Sequence, residues 1–286
     1  MKYGVIDVGS NSVRLMLSEN GRTIYKLIET TRLASSLDEN GFIELKAAEN
    51  TLLAFSSFAE RAKEEGVDKL YAFATAAVRK AKNGGEFVKL IYERCGVPVE
   101  ILSGEQEAEA GFKGALCGKD GGVIDIGGAS TEIAVVKNGE KVYGKSVNIG
   151  AVTLTKTCGE NGVLAEKTVK QALKEFGSVP KSSFYAIGGT ATSIAAICLK
   201  LTKYDPVKVD GFVLEKSELN RLKDKLYSTS VEDRKKIAGL QPQRADIIQS
   251  GAAILCGVSD SLGLEKITIS EKDNLEGYLL MKTEQK

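Results

Sequence analysis

The 286-residue sequence contains no histidine. Histidine-based acid–base catalysis and histidine-containing metal sites are therefore excluded, and carboxylates must do that work. Its five cysteines (Cys95, Cys117, Cys158, Cys198, Cys256) are scattered, with no Cys-x-x-Cys among them. An odd, dispersed set reads as reduced core thiols in a cytoplasm rather than a disulfide framework. No apolar run approaches membrane-spanning length, and the start, "MKYGVIDVGS", lacks a signal-peptide pattern, so no membrane association is expected. Nor is there an excess of either charge. Lys and Arg number 39 against 38 Asp and Glu, which points away from nucleic acid and leaves any anion site local.

What is present is a repeat. "GVIDVGSNSVRLMLSENGRTIY" (4–25) aligns without a gap on "GVIDIGGASTEIAVVKNGEKVY" (122–143), with nine of 22 positions identical. Such a spacing exceeds the roughly 20–50 residues of a solenoid repeat and indicates a domain used twice. The length suits two domains. Their boundary is expected at "CGKDGG", giving 1–117 and 118–286, with a last helix at about 274–286 that returns to the first domain.

Each copy predicts strand, Gly-Ser turn, strand, Asn-Gly turn, strand. The first continues as a helix over 44–65 that stops at Gly66, then a strand "KLYAFAT", a helix "GEFVKLIYERCG", a strand "VPVEIL" and a helix opened by a Ser103–Gln106 capping box. The second continues with "SFYAIGGT" as a strand feeding a helix, a helical insertion near 216–227, a long helix near 245–261 and a last strand "LEKITIS". The class is α/β, with a cleft between two similar halves.

An Asp at the end of a buried strand, followed by a Gly-rich turn, is a chemical device. Backbone N–H groups of such a turn cradle phosphate oxygens. Gly9, Gly127 and Gly128 permit close approach, and Ser10, Ser12, Ser130 and Thr131 add hydroxyl donors. A carboxylate beside phosphates requires a cation between them, which suggests Mg²⁺ shared with Asp7 or Asp125. A single copy reads more simply as a tight hairpin with a capping Asp; two aligned copies favour phosphate. Gly188, Gly189 and Thr190, at a helix start, fit an anion site or a plain turn with a Thr N-cap equally well.

Together "IDVGSNSVRL", "ATAAVRKAKNGGEF", "VEILSGEQEA", "VIDIGGASTEI" and "RADIIQSGAAIL" resemble the exopolyphosphatase/guanosine-pentaphosphate phosphohydrolase (Ppx/GppA) family of the actin-like ATPase superfamily. The resemblance runs from the first strand to about Leu264. It implies two actin-like, ribonuclease H-like domains (duplicated βββαβαβα). It further implies that Asp7, Gly9, Ser10, Asn11 and Ser12 form one phosphate loop, and that Asp125, Gly127, Gly128, Ser130 and Thr131 form the other. Asp125 is then the preferred Mg²⁺ partner, Arg79 engages the phosphate chain, and Glu107 activates water. By sequence alone Glu105, Glu107 and Glu109 are ordinary acids of a helix start, whose dipole would lower their pKa.

The pattern also departs from the family. "SEKDNLEG" (270–277) replaces a Gly-rich stretch ending in Arg-Glu-Gly, with Leu275 in place of the arginine, and Asp210 stands where a histidine is frequent. The sequence also stops before the additional domains of long members. The expected activity is Mg²⁺-dependent release of terminal phosphate from inorganic polyphosphate or guanosine pentaphosphate, and the resemblance allows a homodimer. A kinase or ATPase of the same superfamily, and a non-catalytic alarmone sensor, remain as alternatives.

Overall fold

The computed structural model describes residues 1–37 and 40–284, so residues 285 and 286 of the expected last helix lie outside the described residues. The first half comprises β1 (Lys2–Val8), β2 (Ser12–Glu19), β3 (Arg22–Thr30), α1 (Leu45–Glu64), β4 (Lys69–Ala74), α2 (Ala76–Lys80), α3 (Gly84–Cys95), β5 (Val99–Ile101) and α4 (Gly104–Leu116). The second opens with β6 (Gly121–Ile126), β7 (Thr131–Lys137), β8 (Glu140–Val147), α5 (Ala151–Cys158), α6 (Gly162–Ala172), β9 (Phe184–Ile187) and α7 (Gly188–Cys198). It continues with α8 (Pro206–Val209), β10 (Val213–Glu215), α9 (Lys216–Ser228), α10 (Val231–Arg234), α11 (Ile248–Leu262), β11 (Lys266–Ile269) and α12 (Asn274–Thr283).

The sheets run β3-β2-β1-β4-β5 and β10-β11-β9-β6-β7-β8. Apart from the antiparallel edge strand β10, the second repeats the first. The repetition extends to backbone detail. Asn20-Gly21 and Asn138-Gly139 both take positive φ (51° and 77°; 53° and 76°), as a two-residue hairpin turn demands. Both hairpins also shift register at equivalent places, Leu17/Ser18 and Val135/Val136. The predicted capping box is formed: Gln106 N donates to Ser103 Oγ (3.1 Å) and Ser103 N to Gln106 Oε1 (2.8 Å).

Strand parity decides what faces the centre, because successive side chains point to opposite faces of a sheet. Ile6 and Val8 enter the first core with Phe55, Phe58 and Ile91 of α1 and α3. Val5 faces the other way and packs with Met16, Phe73, Leu275 and Tyr278. In β6, Ile124 and Ile126 enter the second core, whereas Val123 packs with Leu116 and Val136. Asp7 shares the face of Val5, and Asp125 that of Val123. Both aspartates therefore look into the space between the sheets, where α4 and α12 lie.

Those two helices cross at glycine. A Cβ on Gly277 would stand 1.6 Å from Ala110 O, and one on Gly114 would stand 2.0 Å from Asp273 O. The contact brings the start of α12 to the aspartates. No helix of the described residues is long and apolar enough to cross a membrane.

The crossing makes a prediction. Gly277→Ala should destabilise the protein by about 2–3 kcal/mol or more, because the added methyl has no room against main chain. Gly85→Ala, with nothing within 4 Å of its Cβ, should be neutral or slightly stabilising. Urea unfolding measures both; equal midpoints would show that the helices are not in such close contact.

Candidate active site

The two Asp turns are superimposable in their bonding. Gly9 N donates to Ser12 O and Gly127 N to Ser130 O, each at 3.0 Å. The turns meet across the cleft: a Cβ on Gly128 would stand 2.9 Å from Ser10 Cβ, and 3.4 Å from Asn11 N. Between them lies a slot of about 80 Å³, lined by Asp7, Gly9, Ser10, Asn11, Ser12, Glu107, Asp125, Gly127, Gly128, Ser130, Gly188, Gly189 and Thr190 among others. A much larger groove of about 1270 Å³ lies against the β2–β3 hairpin and α12, but holds none of these residues. Size does not mark the site here; convergence of charged groups does.

Thr131 lies outside the slot, and Arg79 borders it through Glu107. Thr131 is fully buried and donates its hydroxyl to Ile149 O (2.6 Å), on the side away from the slot. Arg79 does not line the slot. Its Nη1 donates to Leu102 O (2.6 Å) and to Glu107 Oε2 (2.8 Å), so it holds the glutamate. The Thr190 hydroxyl is also committed, to Ile126 O at 2.9 Å. Gly188 is required twice over: its φ is +77°, and a Cβ there would stand 2.6 Å from Asp125 Oδ1.

Four residues not assigned from the sequence complete the arrangement. Arg14 pairs with Asp7 in register on the neighbouring strand, donating through Nε (2.9 Å) and Nη2 (2.6 Å) to Asp7 Oδ2. Glu132 holds the equivalent place opposite Asp125. It is buried, accepts from Ser146 Oγ (2.5 Å), and has its Oε2 unpartnered. Arg244 lines the slot with its guanidinium flat over Gly189, within 2.3–2.5 Å of where a Cβ would be. Asn274 donates from Nδ2 to Asp125 Oδ2 at 2.9 Å. The repeat offset that equates Asp7 with Asp125 also equates Arg14 with Glu132, and that was the available signal for both.

The electrostatics are those of a site short of positive charge. Burial raises Asp7, although Arg14 opposes it. Burial and then Glu107 push Asp125 up to about 7. Glu132 is raised well above the ordinary range by burial, then by Glu107 and Asp125. Glu107 is also raised: burial outweighs both its pairing with Arg79 and the helix dipole expected to lower it. Arg244 is lowered to about 10 by burial and by the Arg14 charge. A half-buried arginine with no acidic partner within salt-bridge distance among the described residues, beside backbone N–H groups, suits an anion.

The oxygen donors at the slot suit a divalent cation. Asp7 Oδ1 and Glu132 Oε2 are buried with no hydrogen-bond partner among the described residues, and Asp125 Oδ1 faces Gly188. Among the described residues no three carboxylates converge closely enough to hold a metal unaided. One or two carboxylates, with water and substrate oxygens supplying the rest, is how Mg²⁺ is usually held at phosphate sites. The residues fit.

The chain is similar to known phosphatases in sequence and in fold. Residues 16–286 match the model of the Ppx/GppA phosphatase family. The chain is 31% identical to a Fusobacterium nucleatum bifunctional 3-dehydroquinate synthase/phosphatase, over 98% of this chain and 46% of that protein. It is 29% identical to a Vibrio cholerae guanosine-5'-triphosphate,3'-diphosphate pyrophosphatase, over 97% of this chain and 58% of that one. The chain thus spans about half the length of these curated relatives. Exopolyphosphatase 2 of Mycobacterium tuberculosis is 27% identical, with 98% of both chains covered. The crystal structure of an Aquifex aeolicus Ppx/GppA family member superposes with a TM-score of 0.83 at 27% identity, covering 100% of this chain and 98% of that one.

The raised carboxylates predict how stability depends on pH. In the unfolded chain these groups titrate near about 4. In the folded, metal-free protein they hold their protons to higher pH, Asp125 to about 7. Between those values the unfolded state binds fewer protons, so stability falls as pH rises. In EDTA, urea midpoints should decrease from pH 5 to pH 7.5, and Asp125→Asn should flatten the slope. Midpoints that climb over this window would contradict the arrangement.

Proposed function

The chain belongs to the Ppx/GppA phosphatase family, and we propose that it is a Mg²⁺-dependent phosphohydrolase acting on inorganic polyphosphate or guanosine pentaphosphate. The observation that carries this reading is the convergence, in one slot, of both Asp turns with a glutamate ion-paired to arginine. Relatives named for each of the two substrates support the pair of candidates.

In this reading the two turns receive the terminal and penultimate phosphoryl groups through N–H groups other than those of Gly9 and Gly127, which are committed to Ser12 O and Ser130 O. Arg244 and the start of α7 add positive potential on the same wall. Asp125 would hold Mg²⁺, with Asp7 and Glu132 as the nearby carboxylates that could assist. Bound there, the ion would draw charge from the phosphoryl oxygens as it develops in the transition state. Glu107, oriented by Arg79, accepts a proton from the attacking water. Its raised pKa suits that task, since a base works best when its pKa approaches the operating pH. Lys80, whose Nζ donates to Ala129 O (2.9 Å), ties α2 to the second turn and keeps Arg79 beside the slot.

Release of orthophosphate without any acceptor separates this reading from a kinase. Glu107→Gln keeps the shape and removes the base, so kcat should fall about 10²–10⁴-fold with little change in KM. Glu105→Gln, on the same helix turn, should retain activity. Equal activity in both variants would remove Glu107 from the chemistry.

A further inference from the structure

The segment that departs most from the family pattern enters the slot. Asp273 caps α12, accepting from Leu275 N on Oδ1 (2.9 Å), and its Oδ2 accepts from Arg14 Nη1 (2.5 Å). The next residue, Asn274, reaches Asp125. One helix turn therefore touches the aspartate system of both halves.

We propose that Asn274 is a positioning residue that holds Asp125 as the cation-binding carboxylate of the pair. This rests on the Mg²⁺ reading above. The two aspartates are held asymmetrically. A guanidinium that donates twice to a carboxylate offsets much of its charge, and Arg14 does this to Asp7 Oδ2 while its Nη1 serves Asp273. An amide donor orients a carboxylate and leaves its charge in place. Asn274 does this to Asp125, using Oδ2 and leaving Oδ1 toward Gly188, where glycine keeps the space open. In the second half no cation replaces Arg14, because Glu132 stands at that position. The two aspartates, equivalent in sequence, are thereby given different tasks: Asp7 has a guanidinium in direct contact, and Asp125 is held by an amide and feels Arg14 only at a distance.

The seat of Asn274 is rigid. Its Oδ1 lies 3.0 Å from where a Gly111 Cβ would be, and Gly277 presses on Ala110 of α4. Glu276 closes the cap by accepting from Asp273 N (3.0 Å), and Lys26 holds Glu276 at 2.9 Å. Groups that orient metal ligands typically change metal affinity or activity by about 10–100-fold when removed.

The test is Mn²⁺ binding to the whole chain without substrate, by electron paramagnetic resonance of free Mn²⁺ and by calorimetry. Asn274→Leu keeps the volume and removes the donor; Asn274→Ser is too short to reach Asp125 and adds no bulk. Both should raise the Mn²⁺ Kd about 10–100-fold. Leu279→Ala, which loosens α12 in its apolar seat away from the slot, should lower stability and leave the Kd unchanged. Unchanged affinity in the Asn274 variants overturns the inference, as does an equal loss in Leu279→Ala. A wild-type protein that binds no Mn²⁺ overturns the cation reading itself, and this inference with it, whatever phosphate release shows.

Discussion

Burial of Asp7, Glu107 and Asp125 at one narrow slot, with Glu132 buried beside Asp125, is the constraint that the rest of the molecule accommodates. An unpaired ionised carboxylate out of water costs several kcal/mol, so each one needs a partner or a proton. Arg14 answers Asp7 and Arg79 answers Glu107. Asp125 has an amide, and Glu132 a serine hydroxyl. Two carboxylates have a cation in contact and two do not, and burial still raises the pKa of all four. Local electrostatic cost of this kind is what a site built to receive a cation and an anion together would carry before they arrive.

Duplication explains how the cost came to be uneven. The same strand-turn-strand unit supplies both walls, down to the turn hydrogen bond and the register shift of its hairpin. Divergence at a single equivalent position, arginine in one half and glutamate in the other, makes one wall neutral and the other acidic. α4 and α12 then enter from the ends of the two halves and meet glycine to main chain, which leaves no freedom in where Glu107 and Asn274 sit.

Much of this was legible from residue order. The repeat, both Asn-Gly hairpins, the Asp turns and the capping box of α4 carry local signals that tertiary contacts reinforce. Strand parity was harder. The "ST" of the second turn suggested two hydroxyl donors, yet successive strand residues face opposite ways, so Thr131 turns to Ile149 O and Glu132 takes the inner face. Helices α5 and α6 were not marked, and β10 is three residues long with no alternation of its own. The pKa of Glu107 depends on burial that only the packed lobes create, so the helix dipole alone gave the wrong direction. Asp273 and Asn274 stood out in sequence only as departures, because their partners lie 259 and 149 residues away.

The central claim is that this slot directs water onto a terminal phosphorus. Turnover of a short polyphosphate in ¹⁸O-labelled water, with Mg²⁺ and no acceptor, tests it most directly by mass analysis of both products. The account predicts a single ¹⁸O atom in each orthophosphate released and none in the shortened chain. Label in the shortened chain, or no orthophosphate until an acceptor is added, would contradict it.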